Sequence, residues 1–285
     1  MKTIVAATDF STRSQRAIRR AGLLARQWEA KLTLVHVVDD DQPESLVDLE
    51  RREAGNFLNE QIGSVAELQG VRCSAVVATG EAFDGVLHTA KSASADLIVM
   101  GTHRKQLLRD TFVGTTIERV IRTGPYPVLM VNKEVTHSYR HVLGAVDLSV
   151  PSAQAIQTGV ALGLIGDSSV TIIHAFIAPA RGKLFVADAS SERISEYIAS
   201  ERLQAIEELK AFLTANEIHG QRWGYRIEEG GAFEVISRVV QESMPDLVVI
   251  GTHGRSGIAK MLLGSVAEEV LRSVDVDILA VPPMR

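Results

Sequence analysis

Cysteine is nearly absent from this sequence, because Cys73 is the single thiol among 285 residues. One cysteine excludes an intrachain disulfide and a cysteine-rich zinc site. Since Cys73 lies in an alternating apolar run, we expect a structural thiol rather than a nucleophile. The first ten residues, MKTIVAATDF, lack the pattern of a signal peptide, because one lysine and a short apolar run are soon followed by Asp9. These features predict a cytoplasmic protein.

Long apolar runs and an excess of positive charge are also missing. No stretch approaches the length of a membrane span, and the net charge of −5 gives no electrostatic footprint for nucleic acid or an anionic membrane. The chain holds no Walker A loop, no dinucleotide G-x-G-x-x-G motif, no H-E-x-x-H motif and no clustered metal ligands. We therefore expect small-molecule or protein partners, no nucleic acid, no membrane and no metal site.

The sequence does contain an internal repeat. TIVAATDFS, from residue 3, returns as HVLGAVDLS from residue 141, and ADLIVMGTH, from residue 95, returns as PDLVVIGTH from residue 245. The two spacings are 138 and 150 residues, so twelve extra residues lie in the middle of the second copy. We infer a tandem duplication. The predicted domains are residues 1–134 and 139–285, with the polar stretch NKEVTHSYR as the linker.

Each copy alternates short β-branched runs with helical patterns. Five runs of the first copy are strand-like, at residues 3–7, 32–38, 71–77, 97–100 and 128–131. Apolar residues recur at helical spacing in residues 14–28 and 194–213. This alternation is typical of an α/β fold and predicts, for each domain, a five-stranded parallel open sheet with helices on both faces. Ligands of such sheets bind at the carboxyl ends of the strands.

A glycine motif follows the fourth strand of each copy. The second copy reads GTHGRSGIAKMLLGS, with Gly251, Gly254 and Gly264, whereas the first copy has Arg104 at the position of the middle glycine. Glycines at this spacing let backbone N–H groups approach an anion without a Cβ in the way. The start of the following helix adds unpaired donors and a partial positive charge. The motif therefore favours a phosphate-binding loop.

A purely structural interpretation stays open for the last hydroxyl of each motif. Ser265 is followed by Glu268, and Thr115 by Glu118, so each pair has the pattern of a capping box that starts a helix. The glycines at the ends of the motif could likewise turn the chain out of a strand or end a loop. This interpretation does not explain Gly254, which lies inside the loop.

With these residues in place, each half resembles a universal stress protein domain, and the chain resembles a tandem member of that family. The match spans both halves almost end to end. The stretch 251–265 follows the family's nucleotide-binding pattern G-2x-G-9x-G-[S/T] without a departure, and ATDFS and LVHV in the first half are further hallmarks. The resemblance implies two Rossmann-like domains and a crevice between the first and fourth strands that holds ATP.

The resemblance also implies roles for residues of the second domain. Asp147 would accept a hydrogen bond from the adenine amino group, and Ala175 would offer its backbone to the base. The two glycines Gly251 and Gly254 would approach the ribose and phosphates. The last three positions would bind phosphate through backbone N–H groups and a hydroxyl: Gly264, Ser265 and Val266. ADP, AMP and a bound Mg²⁺ are equally compatible with these roles.

The first domain departs from the pattern at Arg104. Its positions that correspond to the site of the second domain are Asp9, Val37, Gly101, Arg104, Gly114, Thr115 and Thr116. The guanidinium of Arg104 would either fill the phosphate pocket or fold outward and supply a charge-assisted contact. We expect the first alternative, in which the first domain keeps the fold and the second domain keeps the ligand.

These expectations define a regulatory protein. The predicted function is stress-response signalling through ATP occupancy, chiefly of the second domain, which requires two conformations with different affinity for ATP. A slow ATPase or autophosphorylating protein and a scaffold without a nucleotide are the alternatives. No catalytic residue is assigned, since Ser256 and Ser265 lie near the motif without a carboxylate pair suited to Mg²⁺.

Several other residues have two possible roles. We expect His103 and His253 to order their loops through ring hydrogen bonds, and His36 and His174 to be structural histidines. Arg255 would either reach a phosphate or stay solvated. Residues 177–190 form a long connection that could act as a lid, although a plain surface loop is the default.

The last strand of each copy suggests how the halves associate. Family members commonly dimerise through an edge strand after the glycine motif, and PVLMV and DILAV are the equivalent strands here. An exposed apolar edge strand needs a partner. We therefore expect an intramolecular pseudo-dimer of the two domains, with a homodimer of whole chains left open and a downstream protein partner of unknown identity.

Overall fold

A computed structural model describes residues 1–102, 115–134, 137–166, 168–187, 189–254 and 263–283, with Lys183 and Leu184 described by their backbone alone. His103, Arg104, Gly114, Arg255 and Ser256, which were singled out above, lie outside the described residues. In the part of the chain that is described, no helix is long and apolar enough to cross a membrane.

The first half alternates strands and helices as the pattern predicts. Its strands and helices are β1 (Thr3–Ala7), α1 (Thr12–Gln27), β2 (Lys31–Val38), α2 (Glu44–Ser64), β3 (Arg72–Thr79), α3 (Ala82–Ser92), β4 (Leu97–Gly101), α4 (Thr116–Thr123) and β5 (Val128–Val131). A single 3₁₀ turn, Ala66–Leu68, follows α2. Every predicted strand of this half is present, with ends shifted by no more than two residues.

The second half repeats this order with one addition. Its elements are β6 (His141–Ala145), α5 (Val150–Ala161), β7 (Ser169–Phe176), α6 (Arg181–Val186), α7 (Ser191–Ala215), β8 (Trp223–Glu229), α8 (Ala232–Ser243), β9 (Leu247–Gly251), α9 (Ser265–Ser273) and β10 (Asp277–Val281). The short helix α6 has no counterpart among the described residues of the first half. It lies within residues 177–190, which the sequence predicts as an irregular connection.

The ten strands found in the described residues form one sheet, in the order β3-β2-β1-β4-β5-β10-β9-β6-β7-β8. Pairing within each half is parallel, which confirms the predicted five-stranded parallel sheets. The two halves meet where β5 and β10 pair antiparallel, with Leu129 opposite Leu279. Because the strands of the two halves run in opposite directions, their carboxyl ends lie at opposite edges of the sheet.

Helices cover both faces of the sheet. Side chains alternate along a strand, and in β1 the buried residues Ile4 and Ala6 belong to one apolar cluster while Val5 and Ala7 belong to another. Helix α1 contributes Ile18 to the first cluster. The other cluster receives residues of α3 and α4. This arrangement confirms the predicted α/β fold with helices on both faces.

The boundary between the halves contains a fully buried carboxylate. Asp277, at the start of β10, is 0% exposed. Its Oδ1 accepts hydrogen bonds from the backbone N–H groups of Asn132 at 2.8 Å and Lys133 at 3.0 Å. Its Oδ2 accepts one from the Tyr139 hydroxyl at 2.8 Å and lies 3.3 Å from Nε of Arg20 in α1.

The described residues of the polar linker are fixed by contacts at both of its ends. The Arg20 guanidinium lies over the ring of Tyr139, 4.3 Å from its centroid, and donates a hydrogen bond to the carbonyl of His137. Burial raises the pKa of the Tyr139 hydroxyl well above its usual value, and the negative charge of Asp277 raises it further. Tyr139 thus remains a neutral hydrogen-bond donor to Asp277.

Replacing the buried carboxylate tests this junction. We expect Asp277→Ala to lower the free energy of unfolding by about 3–5 kcal/mol, because Arg20 loses its counter-charge in a buried position. Glu134→Gln is the matched control, since Glu134 forms an exposed pair with Arg16 and should cost less than about 1 kcal/mol. Urea denaturation measures both. Equal losses for the two variants would contradict the role given to Asp277.

Candidate functional site

A cavity of about 340 Å³ lies at the carboxyl edge of the second half, between the ends of β6 and β9. We call it the second cavity. Its size is within the range of small-molecule sites. The residues that line it are Ala145, Val146, Asp147, Ser152, Ile173, Ala175, Ala232, Ile236, Ile250, Gly251, His253, Gly254, Gly264, Ser265, Val266 and Ala267. All seven residues that the sequence predicts for a site in this half lie on this one wall.

Backbone and side-chain bonds orient Asp147 just after β6. Its Oδ1 accepts hydrogen bonds from the backbone N–H and the hydroxyl of Ser149. The neighbouring strand is tied to the same place, because Nδ1 of His174 donates to the carbonyl of Val146 at 2.9 Å. This bond fixes the position of His174, and therefore also that of Ala175, the next residue in β7. The bond from His174 also confirms that this histidine is structural, as does the equivalent bond from His36 to the carbonyl of Thr8.

Gly254 is small because Asp147 occupies the space beside it. A Cβ at residue 254 would lie 2.8 Å from Oδ2 of Asp147, closer than a Cβ comes to another heavy atom in proteins. Any side chain at this position must therefore displace the carboxylate. This contact gives the middle glycine of the motif a physical reason that the sequence alone does not show.

Gly251 is small for a different reason. A Cβ there would lie 3.1 Å from the carbonyl oxygen of Pro151, at the start of α5. In the first half, a Cβ at Gly101 would meet the backbone of Arg13 at 2.7 Å. The first glycine of each motif therefore permits close packing of a strand end against the start of a helix, β4 against α1 and β9 against α5, and this requirement holds with or without a ligand.

The two motifs start their helices differently. In the first half, Thr115 is the N-cap of α4, and its hydroxyl accepts a hydrogen bond from the backbone N–H of Glu118. In the second half, Gly264 is the N-cap of α9, with no side-chain capping bond. The predicted capping hydrogen bond is therefore present at Thr115, whereas the prediction is wrong for Ser265, because α9 already includes Ser265 as its first residue.

This shift leaves the Ser265 side chain exposed at the cavity wall. Among the residues that the structure describes, its hydroxyl has no hydrogen-bond partner. Gly264 is held by a bond from its N–H to the carbonyl of Thr252 at 2.8 Å. The first turn of α9 therefore presents a hydroxyl and helix N-terminal N–H groups to the cavity, and both favour an anion.

A corresponding cavity lies at the carboxyl edge of the first half and has a volume of about 420 Å³. We call it the first cavity. It is lined by Ala7, Thr8, Asp9, Ser11, Arg13, Ser14, Val35, His36, Val37, Ala82, Val86, Met100, Gly101, Thr102, Thr115, Thr116 and Ile117. Five of the seven predicted positions of this half are on this wall. The other two, Arg104 and Gly114, lie outside the described residues.

The two cavities differ in charge. Arg13 lines the first cavity and lies 3.8 Å from the Asp9 carboxylate. Burial raises the pKa of Asp9, but hydrogen bonds from Ser11 and Ser14 and the charge of Arg13 outweigh it, so the pKa is below its usual value. The position of Arg13 is taken by Pro151 in the second half. No Arg or Lys is among the described residues that line the second cavity.

His253 forms the expected ring hydrogen bond. Its Nδ1 lies 3.0 Å from the hydroxyl of Thr252, a residue that is 1% exposed. The described residues provide no partner for its buried Nε2. His253 also lines the second cavity, which the sequence analysis did not predict. The contribution of α8 through Ala232 and Ile236 was also missed, although the repeated GEAFDGVL and GGAFEVIS segments could have indicated it.

The segment 177–190 does not line the second cavity with any of its described residues. Helix α6 is tied down at its start, where the N–H of Ala180 donates to the hydroxyl of Tyr197 and Arg181 pairs with Glu229 at 2.9 Å. Phe185 and Val186 are more than three-quarters exposed. In this conformation the segment leaves the cavity open.

Comparison with known proteins gives the family context. The sequence model of the Universal stress protein family matches residues 1–132 and again residues 138–282. A universal stress protein E homolog of Haemophilus influenzae is 24% identical over 251 residues, covering 85% of this chain and 78% of that protein. A universal stress protein of Methanocaldococcus jannaschii is 31% identical over 140 residues, covering 46% of this chain and 82% of its own length.

A solved structure has the same fold over nearly the whole chain. The crystal structure of a universal stress protein from Archaeoglobus fulgidus superimposes with a TM-score of 0.68 at 18% identity, and covers 98% of each chain. At this identity the likeness concerns the arrangement of the strands and helices and not the ligand.

The different helix starts lead to a matched pair of variants. We expect Thr115→Ala to lower the free energy of unfolding by about 1 kcal/mol, because the N-cap bond of α4 is lost. Ser265→Ala should change it by less than about 0.5 kcal/mol, since Ser265 is exposed and inside the first turn. Urea denaturation of ligand-free protein checks both values. A larger loss for Ser265→Ala would show that its hydroxyl is the cap after all.

Proposed function

Because the chain belongs to the universal stress protein family, we propose that it binds ATP in the second cavity and acts as a regulatory protein that responds to nucleotide. The observation that carries this proposal is the convergence of four separate segments on one wall. The end of β6, the end of β7, the loop after β9 and the start of α9 bring together all seven residues that the motif assigns to the nucleotide.

The proposed position of the base follows from Asp147. Oδ1 of Asp147 accepts two hydrogen bonds from Ser149, and Oδ2 faces Gly254 at the cavity wall. A carboxylate oxygen accepts hydrogen bonds only, so it complements the amino group of adenine and opposes the carbonyl of guanine at the same position. The apolar side chains of Ile173, Ile236 and Ile250 would contact the face of the ring.

The proposed position of the phosphates is the start of α9. A helix N-terminus carries a partial positive charge and unpaired N–H groups, which suit a polyanion. Gly264 and Ser265 are the first residues there, and the Ser265 hydroxyl adds a further hydrogen-bond donor. The motif of the first half has Arg104 at the position of Gly254. We therefore propose that the second cavity is the principal nucleotide site.

Calorimetric titration of ATP into the wild-type chain and Gly254→Arg tests the site. We expect one site per chain in the wild type and at least tenfold weaker binding in the variant, because even a Cβ displaces the Asp147 carboxylate and removes a charge-assisted bond worth about 1.5–3 kcal/mol. Gly224→Arg is the control, since a Cβ at that position meets no atom within 4 Å.

Each other outcome has a definite meaning. Two sites per chain would mean that the first cavity also binds ATP. Unchanged affinity in Gly254→Arg would place the nucleotide elsewhere. No binding to nucleotide-free wild-type protein would refute the proposed function and leave a scaffold. Release of phosphate from bound ATP at a steady rate would assign the chain to the slow ATPase alternative.

Base selectivity gives a second prediction. Asp147→Asn retains one oxygen for Ser149, but places an amide N–H₂ group where the other oxygen would accept from adenine. We expect ATP affinity to fall at least about tenfold and the preference for ATP over GTP to narrow, because guanine has an acceptor at that position. Asp9→Asn is the matched control and should change neither the affinity for ATP nor the preference for ATP over GTP. An unaltered ATP-to-GTP ratio in Asp147→Asn would contradict the assigned contact.

A further inference from the structure

A groove separate from both cavities lies between α1 and α2 of the first half. We call it the α1–α2 groove. Its volume is about 510 Å³, and residues of the 3₁₀ turn after α2 contribute to its wall. The residues that line it are Gln15, Ile18, Arg19, Phe57, Glu60, Gln61, Ser64, Val65, Ala66 and Glu67. None of the residues assigned to nucleotide binding is among them.

Gln61 is an unusual side chain for the wall of this groove. It is only 5% exposed, yet neither its Nε2 nor its Oε1 has a hydrogen-bond partner among the described residues. Buried amide groups are nearly always paired, because an unpaired donor or acceptor in the interior loses its bonds to water without compensation. The carboxamide of Gln61, unpaired at both atoms within the described part of the chain, is therefore available to a bound molecule.

The second half shows that the fold does not require a polar side chain here. Ala54 and Leu58 are buried in α2, and Ala205 and Leu209 are buried in α7 with the same four-residue spacing. In this register Gln61 corresponds to Phe212, which packs against the apolar core. One copy of the duplicated helix thus fills the position with an aromatic ring, and the other copy places an unpaired carboxamide there.

The rest of the groove also has unused polar groups. Within the described part of the chain, the side chains of Gln15, Arg19, Glu60, Ser64 and Glu67 have no hydrogen-bond or ion-pair partner. An aromatic ring accompanies them, because Phe57 is 41% exposed and its edge contacts the ring of Phe10 at 4.9 Å between centroids. The apolar floor includes Ile18, which is 1% exposed. Arg19 and Glu60 are long, exposed side chains that can move aside without unfolding the helices.

We propose that the α1–α2 groove binds a small planar molecule that carries a primary carboxamide or an equivalent lactam edge, with Gln61 as its hydrogen-bond partner. A carboxamide has a donor and an acceptor side by side, and it pairs with a second such edge through two parallel bonds. The ring of the ligand would contact Phe57, which adds offset or edge-on aromatic packing. This site is independent of the proposed nucleotide site.

Benzamide is the probe, because it joins one ring to one carboxamide. We titrate it into the full-length wild-type protein and follow the backbone amide shifts of residues 57–67 by NMR. Saturable shifts are expected in the wild type, with affinity at least about tenfold weaker in Gln61→Leu and in Gln61→Phe, which copies the second half. Gln204→Leu is the matched control, since Gln204 is exposed on α7 and already paired with Glu208.

Benzoate separates recognition of the amide from general affinity for aromatic rings. It accepts hydrogen bonds but donates none to Oε1 of Gln61, so it should bind at least about tenfold more weakly than benzamide. Equal binding of the two molecules, unchanged benzamide binding in Gln61→Leu, or no saturable shift in the wild type would each overturn the proposal.

Thermal unfolding provides a second, independent criterion. Without benzamide, Gln61→Leu should unfold at a higher temperature than the wild type, because two unpaired polar atoms are replaced by an apolar side chain of similar size. Saturating benzamide should raise the unfolding temperature of the wild type and Gln204→Leu, and leave that of Gln61→Leu unchanged. A lower unfolding temperature for ligand-free Gln61→Leu would mean that the amide has a structural partner, and would overturn the proposal.

Discussion

The antiparallel pairing of β5 with β10, fixed by the buried carboxylate of Asp277, is the constraint on which the rest of the molecule depends. Two parallel sheets each have an apolar edge strand, and joining these edges turns two small sheets into one. The joint also sets the positions of the cavities, because it directs the carboxyl ends of the two halves to opposite edges of the sheet. One ligand therefore cannot contact both cavities, and any communication between them must pass through the joint.

The joint is asymmetric although the fold is duplicated. Asp277 corresponds to Pro127 in the first half, and Arg20 corresponds to Thr158 in the second, so the ion pair exists once and not twice. A buried pair of this kind contributes little net stability, because both charges have lost their water. It does make wrong pairings costly, since any other register would leave Asp277 or Arg20 buried alone. This asymmetry favours pairing of the two halves within a chain in one register.

Local patterns in the sequence predicted the fold and most of one cavity wall, but not contacts between distant residues. Strand runs and helical spacing depend on neighbours in sequence, so β1 and β5 were predicted at their observed ends. The space between Gly254 and Asp147 depends on residues more than a hundred positions apart. The partners of Asp277 are also more than a hundred positions away from it in sequence. The segment DILAV gives no sign that its aspartate is buried. The helix start predicted at Ser265 was wrong by one residue, because Gly264 directly before it is also a favoured N-cap residue.

The difference between the two cavities follows from small local changes on a common scaffold. Arg13 beside Asp9 is too exposed to close the first cavity by itself, because a pair of this kind is worth at most about 1 kcal/mol. The capping bond of Thr115 does not exclude a phosphate either, because the hydroxyl accepts that bond and still has its own O–H to donate. The larger difference lies at the middle position of the motif, where the first half has Arg104 in place of Gly254. On the proposed assignment, the duplicated fold thus favours ATP in one half without any change in its sheet.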